Sequence, residues 1–242
     1  MAEQLLSPQK LWLGGYDLST RLNALAIENA AEAVDVTAFG DVSRAFAGGL
    51  KSVSASHAGF WDAAGGVDAE LFDRLTLADA PMSLAVTDGA EGDTAFTFRA
   101  LHAEYSPGAS IGEAFTFSIA AQSGAGDGLV RGTLMHNGAE TATVNGAGRQ
   151  LGAVAAGQKL FGALHVTAAS GTAPTLDITV ESDDNAGFTT AVTRMTFSQQ
   201  TGIGFEWPAP VAGPITDDWW RLVITIGGTT PSFEFAAILA IQ

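Results

Sequence analysis

Val34–Asp62 reads VDVTAFGDVSRAFAGGLKSVSASHAGFWD, and this stretch decides the fold. Val34, Val36 and Ala38 alternate with Asp35 and Thr37, which predicts a short strand with one apolar face. Phe39-Gly40 follows, then a segment carrying Arg44, Gly48, Gly49 and Lys51, a composition suited to turns rather than to a core. The chain returns as a second alternating run that ends at Phe60-Trp61. The expectation is a β-pair interrupted by about twenty loop-like residues, a length that marks a functional loop in a compact domain.

Outward from this segment, alternation continues. In Asp93–Leu101 the even positions Thr94, Phe96, Phe98 and Ala100 are set against Asp93, Thr97 and Arg99. In Ala114–Gln122, Phe115, Phe117, Ile119 and Ala121 oppose Thr116, Ser118, Ala120 and Gln122, the pattern of a half-buried antiparallel strand. One helix is expected, capped by Asp68, with Leu71, Phe72 and Leu75 on one side and Asp79-Ala80-Pro81 at its end. Gly, Ala and Thr crowd Ser123–Gly128 and Asn137–Gly148, which places a domain boundary near Gly138: residues 1–138 and 139–242. The second region holds an internal echo, Gly171-Thr172-Ala173-Pro174 and Gly228-Thr229-Thr230-Pro231. Each copy lies between two alternating runs, so the expectation is two hairpins of one sandwich: Leu164–Ala168 with Leu176–Val180, and Arg221–Ile226 with Phe233–Leu239.

Composition narrows the function classes. The chain has 242 residues, 47% hydrophobic and 15% charged, with 29 glycines, and is expected to fold into a turn-rich globular protein. No apolar run approaches the ~18 residues of a membrane span, and MAEQLLSPQK lacks the basic start and apolar core of a signal peptide, so synthesis in the cytoplasm and no membrane partner are expected. With no cysteine there is no disulfide framework, thiolate metal site or cysteine nucleophile. The net charge of −15 divides into −10 up to Gly138 and −5 beyond it, a balance that repels phosphate and argues against a conventional nucleic-acid binder.

No constellation points to catalysis or to a cofactor. His57, His102, His136 and His165 are scattered without metal-ligand spacing and read as sheet-surface residues. Ser182-Asp183-Asp184-Asn185-Ala186-Gly187 gathers oxygen ligands but lacks the alternating pattern and later carboxylate of a calcium loop; it reads as a solvated turn. No nucleophile elbow, phosphate loop or dinucleotide fingerprint occurs, so the expectation is neither an enzyme nor a cofactor or metal protein. Trp219 and Trp220 are the candidate surface aromatics. Neighbouring strand residues point to opposite faces, so both cannot be core; an exposed one would be an interface anchor or a glycan-stacking platform.

Asp17-Leu18, Asp35-Val36-Thr37-Ala38-Phe39-Gly40 and Gly59-Phe60-Trp61-Asp62 resemble the major tail (tail tube) proteins of long-tailed bacteriophages, in order across roughly residues 10–135. The resemblance implies a mainly β fold: a tail-tube-type β-sandwich or barrel module with one flanking helix and a long inter-ring loop, followed by a second β-sandwich. It further implies a structural virion protein of the tail, assembled in the host cytoplasm, whose rings stack into the conduit for DNA ejection. Phe39, Asp41, Arg44, Phe46 and Lys51 become the expected inter-subunit contacts, and Asp93, Thr97, Arg99, Thr116 and Ser118 the candidate lumen face.

The implied partners are the chain itself, the tape measure protein and the terminator and baseplate proteins, with DNA passing through unbound. Hexameric rings are favoured over pseudo-hexameric trimers because the second half lacks another D-x-T-x-F-G segment. The competing class is a phage or surface β-sandwich protein that binds glycans. The acidic balance has two readings, solubility or a conduit wall that does not hold phosphates.

Overall fold

A computed structural model describes residues 9–61, 67–76, 80–124 and 126–242. In chain order the elements are β1 (Lys10–Leu13), β2 (Tyr16–Asp17), β3 (Leu22–Asp35), β4 (Phe46–Phe60), α1 (Val67–Asp73), β5 (Ala80–Ala85), β6 (Thr94–Gly108), β7 (Thr116–Ser123) and β8 (Val130–Glu140). They continue as β9 (Val144–Asn145), β10 (Arg149–Gln150), β11 (Lys159–Asp183), β12 (Val192–Thr196), β13 (Gly204–Glu206), β14 (Val211–Ala212) and β15 (Trp219–Ile241). Every described register between two of these strands is antiparallel, and an isolated bridge joins Leu75 to His102 in parallel.

The chain forms two compact units. One comprises Arg21–Asp79 and Arg99–Leu129; the other takes in Ala80–Phe98, Val130–Gln242 and the described N-terminal residues up to Thr20. The division therefore does not fall at Gly138. That glycine sits inside β8, paired with Phe235, and its neighbours Asn137 and Ala139 are ladder residues too. A Gly- and Ala-rich composition marked a linker, yet in a strand whose neighbours bury the apolar surface such residues simply pack small.

The smaller unit is a four-stranded sheet in the order β3-β4-β7-β6. Its alternation sends Val53, Ala55, Phe117, Ile119 and Ala121 to a covered face, where Leu71 of α1 is also buried. Asp68 lies within α1 rather than at its cap, and its carboxylate accepts a hydrogen bond from Trp61 Nε1 at 2.8 Å and another from the Tyr105 hydroxyl. These bonds hold the Asp68 carboxyl below its ordinary range, Tyr105 contributing most. Burial, seconded by the Asp68 bond, pushes Tyr105 up to about 12. Phe72, expected beside Leu71, faces solvent, because consecutive helical residues are about 100° apart.

The larger unit is organised by β11 and β15, which pair with each other along almost their full lengths. The expected hairpins are absent: Leu160–Ala169 pairs with Phe233–Ile241, and Thr175–Asp183 with Trp219–Gly227. Between these stretches the two echo segments meet, Thr172 opposite Thr229, and the register shifts. One core collects Leu160, Leu164 and Val166 with Leu176, Ile178, Val180, Leu222, Ile224, Phe233 and Phe235, so residues from both halves of each strand share it. Ala236 and Ile238 belong to a second cluster with Trp12, Ala85 and Leu134, which is why Phe235–Ala240 reads as an unbroken apolar run.

Candidate assembly surfaces

β7 covers β4 only from Ser54 to Phe60. Beyond Ser54 the β3-β4 hairpin continues alone, and residues 31–52 are exposed on both faces as a two-stranded ribbon. The expected loop is thus shorter than the sequence suggested. Phe46, Gly48, Gly49 and Lys51 are strand residues paired with Asp35, Ala33 and Ala31 or adjacent to those pairs, and only 36–45 form the tip.

The tip is held by its own polar groups. Asp35 accepts from Thr37 N at 2.9 Å and from Thr37 Oγ1, Asp41 accepts from Ala38 N at 2.8 Å, and Thr37 Oγ1 accepts from Ala45 N at 3.0 Å. The Thr37 hydroxyl and then its backbone N–H hold the Asp35 carboxyl below its ordinary range. Gly40 turns the chain at φ +106°. Asp41, expected as an inter-subunit contact, therefore also shapes the tip.

What the ribbon displays is apolar. Phe39 and Val42 are fully exposed, Leu50 is 85% exposed, and Phe46, Val36 and Val34 are about half so. Arg44 and Lys51 stand among them, exposed and without a described ion pair. An isolated two-stranded hairpin is marginal in water, and a patch of this kind on a soluble chain marks a contact surface. Val42 and Leu50 were not singled out from sequence, although large apolar residues without an alternating partner, next to glycines, were the available signal.

The opposite end of the same sheet is also apolar. Phe60 and Phe115 are about half-exposed and Ile111 fully so, and all three lie where Phe60 pairs with Thr116 and Gly108 with Thr116. Trp61 meets Phe115 edge-on at 5.2 Å.

The uncovered face of this sheet carries small and polar residues: Ala24, Ala26 and Glu28 on β3, Ser54, Ser56 and Ala58 on β4, Ser118, Ala120 and Gln122 on β7, and Glu104 and Ser106 on β6. No basic residue lies among these positions. Of the candidate lumen residues, Ser118 lies here, and Thr116 is half-buried at its margin, bonded to Gly108 O at 3.0 Å.

The others do not. Thr97 is buried in the larger unit, its hydroxyl 2.7 Å from Ser83 Oγ. Asp93 closes a turn by accepting from Ala90 N at 2.9 Å and from the Thr87 hydroxyl. Arg99 donates to Asp127 from Nε at 2.9 Å and Nη2 at 2.6 Å. β6 is covered on both sides along Ala95–Ala100, so its alternation did not separate a wet face from a dry one.

Nor are the histidines at the surface; all four are buried. His165 bridges Gly14 O and Ser83 Oγ, each at 2.7 Å, and its burial takes its pKa down to about 4. His57 is taken down to about 3 by burial and then by the neighbouring charge of His102. His136 is stacked on Phe235 at 4.2 Å and meets Glu91 at 2.9 Å. Ser83 and His165 are both fully buried.

In the Ser182–Gly187 turn, Asp183 is occupied by Asn185 Nδ2 at 2.9 Å and Thr190 N at 2.7 Å. No group of metal-ligating side chains occurs among the described residues, and no helix of theirs is long and apolar enough to cross a membrane. Trp220 is core, its Nε1 donating to Gly152 O at 2.8 Å, so it is no surface aromatic. Trp219 is half-buried and lines a shallow depression with Thr133, Arg149, Gln150 and Leu151.

No protein-family model and no curated protein matches the chain. Among solved structures it is similar to a chain in the virion of a native gene transfer agent particle, at 21% identity, with 52% of this chain and 97% of that one covered and a TM-score of 0.41. It is similar to a chain of an extracellular contractile injection system sheath-tube complex in the extended state, at 6% identity, with 55% and 93% covered and a TM-score of 0.43. It is also similar to the SPP1 Dit protein, described as a hub of the adsorption apparatus in phages infecting Gram-positive hosts, at 9% identity, with 97% and 99% covered and a TM-score of 0.35.

Proposed function

We propose that the chain is a structural virion protein, a tail tube subunit that closes into rings which stack into a conduit for DNA. The observation that carries this reading is the bare ribbon of residues 31–52, which places an apolar surface of mixed charge beyond the sheet that anchors it. Such a surface suits contact with a further copy, and a subunit that binds copies of itself head to tail builds an open filament. The sequence resemblance of Asp35–Gly40 and Gly59–Asp62 to tail tube proteins supports the same reading.

The uncovered face suits the lumen. Glu28 and Glu104 with serine, alanine and glutamine give a wall that repels phosphates instead of binding them, so DNA slides without being held. Among the described residues β3 pairs with β4 alone, so its other edge gives a neighbouring subunit a ladder to extend, and ring closure would remove that edge. Ribbon, helix and small polar face each occur once among the described residues, which favours six chains per ring over three. The tape measure, terminator and baseplate proteins are the expected partners, with the virion tail as location, assembly in the host cytoplasm and no catalytic role.

Electron microscopy of purified protein at high concentration, alone and with tail initiator, tests the reading. Hollow tubes of uniform width with sixfold symmetry are expected; a persistent monomer sinks it, and threefold rings sink the hexamer. Trp219, half-buried beside Arg149 and Gln150, keeps a glycan-binding reading in play for the larger unit. A glycan array with Trp219→Ala as control separates the two.

A further inference from the structure

β10 and the start of β15 build a polar depression in the larger unit. Gln150 pairs with Trp219, so a planar amide and a half-buried indole belong to residues directly opposite each other in the ladder. With Arg149, Gly92 and Gly148 they line a hollow of about 360 Å³, within the size range of small-ligand sites. A Cβ on Gly92 would lie 2.5 Å from Arg149 Nη1, so that glycine lets the guanidinium settle against main chain.

Three groups here are open to a ligand. Arg149 Nε is buried and has no hydrogen-bond partner among the described residues, which costs stability unless an acceptor arrives. Asp218 accepts from Gln150 Nε2 at 2.5 Å through one carboxylate oxygen, and the other oxygen makes no bond among the described residues. The ring of Trp219 is only half-buried, whereas its neighbour Trp220 is fully so.

Charge narrows what fits. Arg149 Nη2 lies 3.7 Å from Glu91 Oε2, so its positive charge is already countered, and Asp218 adds a negative one. In a chain of net charge −15 an anionic ligand meets repulsion that Arg149 does not offset. A neutral polyol meets none, and its hydroxyls both accept and donate, as an open N–H beside an open carboxylate oxygen requires. The weakly positive C–H face of a pyranose ring suits the negative face of an indole.

We propose that this depression binds a neutral hexopyranose, its C–H face on Trp219, one hydroxyl accepting from Arg149 Nε and another donating to Asp218. The proposal rests on the glycan-binding reading of the larger unit and narrows it to a class of sugar and two polar contacts.

The full chain is tested on an array of neutral hexose oligosaccharides set beside sialylated and uronic-acid-bearing ones, and is expected to favour the neutral set about fivefold or more. Arg149→Lys keeps the charge that faces Glu91 but removes Nε, and is expected to cut binding about tenfold, as is Asp218→Ala. Trp219→Phe, which keeps a ring, is expected to retain binding that Trp219→Ala loses. Thermal melting followed by circular dichroism shows whether each variant is folded. A second measurement needs no variant: tryptophan fluorescence of the unaltered protein is expected to shift on titration with methyl glucoside, mannoside or galactoside, and to stay unchanged with glucuronate.

A preference for acidic glycans, a shift with glucuronate, or binding that Arg149→Lys and Asp218→Ala leave unchanged overturns this inference and leaves the glycan-binding reading standing. Absence of binding to any glycan overturns both.

Discussion

Gly171 and Gly228 occupy equivalent places where β11 and β15 cross: a Cβ on Gly171 would lie 2.7 Å from Thr230 O, and one on Gly228 would lie 2.7 Å from Ala173 O. Their φ values, +112° and +113°, agree as well. The echo in the sequence is therefore two halves of one crossing, each supplying the backbone that the other's missing side chain leaves room for.

Gly171→Ala and Gly228→Ala are expected to destabilise the larger unit by at least ~2 kcal/mol each, since the backbone conformation is unfavourable to an L side chain and the clash is with main chain. Thermal unfolding followed by circular dichroism should show a drop of roughly 5–10 °C. An unchanged midpoint would mean the crossing relaxes freely.

Ser83→Ala should cost about 1–3 kcal/mol, because it removes one partner each from the buried His165 ring and the Thr97 hydroxyl. Denaturant titration measures it. The effect is expected to appear without change in assembly, since neither group reaches a surface.

Acid should weaken the fold before carboxylates begin to titrate. The unfolded chain's histidines take up protons near pH 6.5, whereas His165 resists until about 4 and His57 until about 3. Between those limits the unfolded state binds more protons, so their stabilisation is complete above pH 6.5 and declines as pH falls. For His165 the full loss is on the order of 3 kcal/mol. Urea midpoints between pH 7.5 and 4.5 should fall steadily, and less steeply for His57→Leu.

Deleting Asp41–Gly49 should abolish assembly and leave the β signal in circular dichroism intact, because no residue of that stretch is buried. Sedimentation reads the first and spectroscopy the second; a collapse of the spectrum would show that the ribbon supports the sheet after all.

The two adjacent tryptophans should part company. Trp220→Ala removes a fully buried ring and its bond to Gly152, costing about 3–5 kcal/mol. Trp219→Ala should cost far less in a melting experiment and bear only on ligand or interface binding.

The strands of the smaller unit were legible because one face is dry and the other wet: Phe117, Ile119 and Ala121 alternate with Ser118 and Gln122, and the structure keeps that order. Thr97 misled because β6 is covered on both sides there, which erases the period that would identify a face. The hairpins expected around the echo failed for a different reason. A Gly-Thr-x-Pro segment signals a local reversal, but pairing at a distance between β11 and β15 cannot be read from turn chemistry. The ribbon was found through its glycines and Phe39, yet its length was misjudged, since Phe46–Lys51 pairs in a strand without burying anything and so shows no alternation.

Because the smaller unit's sheet runs out into a bare two-stranded ribbon at one end and stops at the half-exposed Phe60 and Phe115 at the other, any stack built along β4 would have chemically distinct termini. One terminus would present free ribbons that must settle into shape on arrival; the other would present the end of a sheet already held by three strand pairings. Growth should consequently run at different speeds at the two ends, and a capping factor for one end would have no purchase on the other.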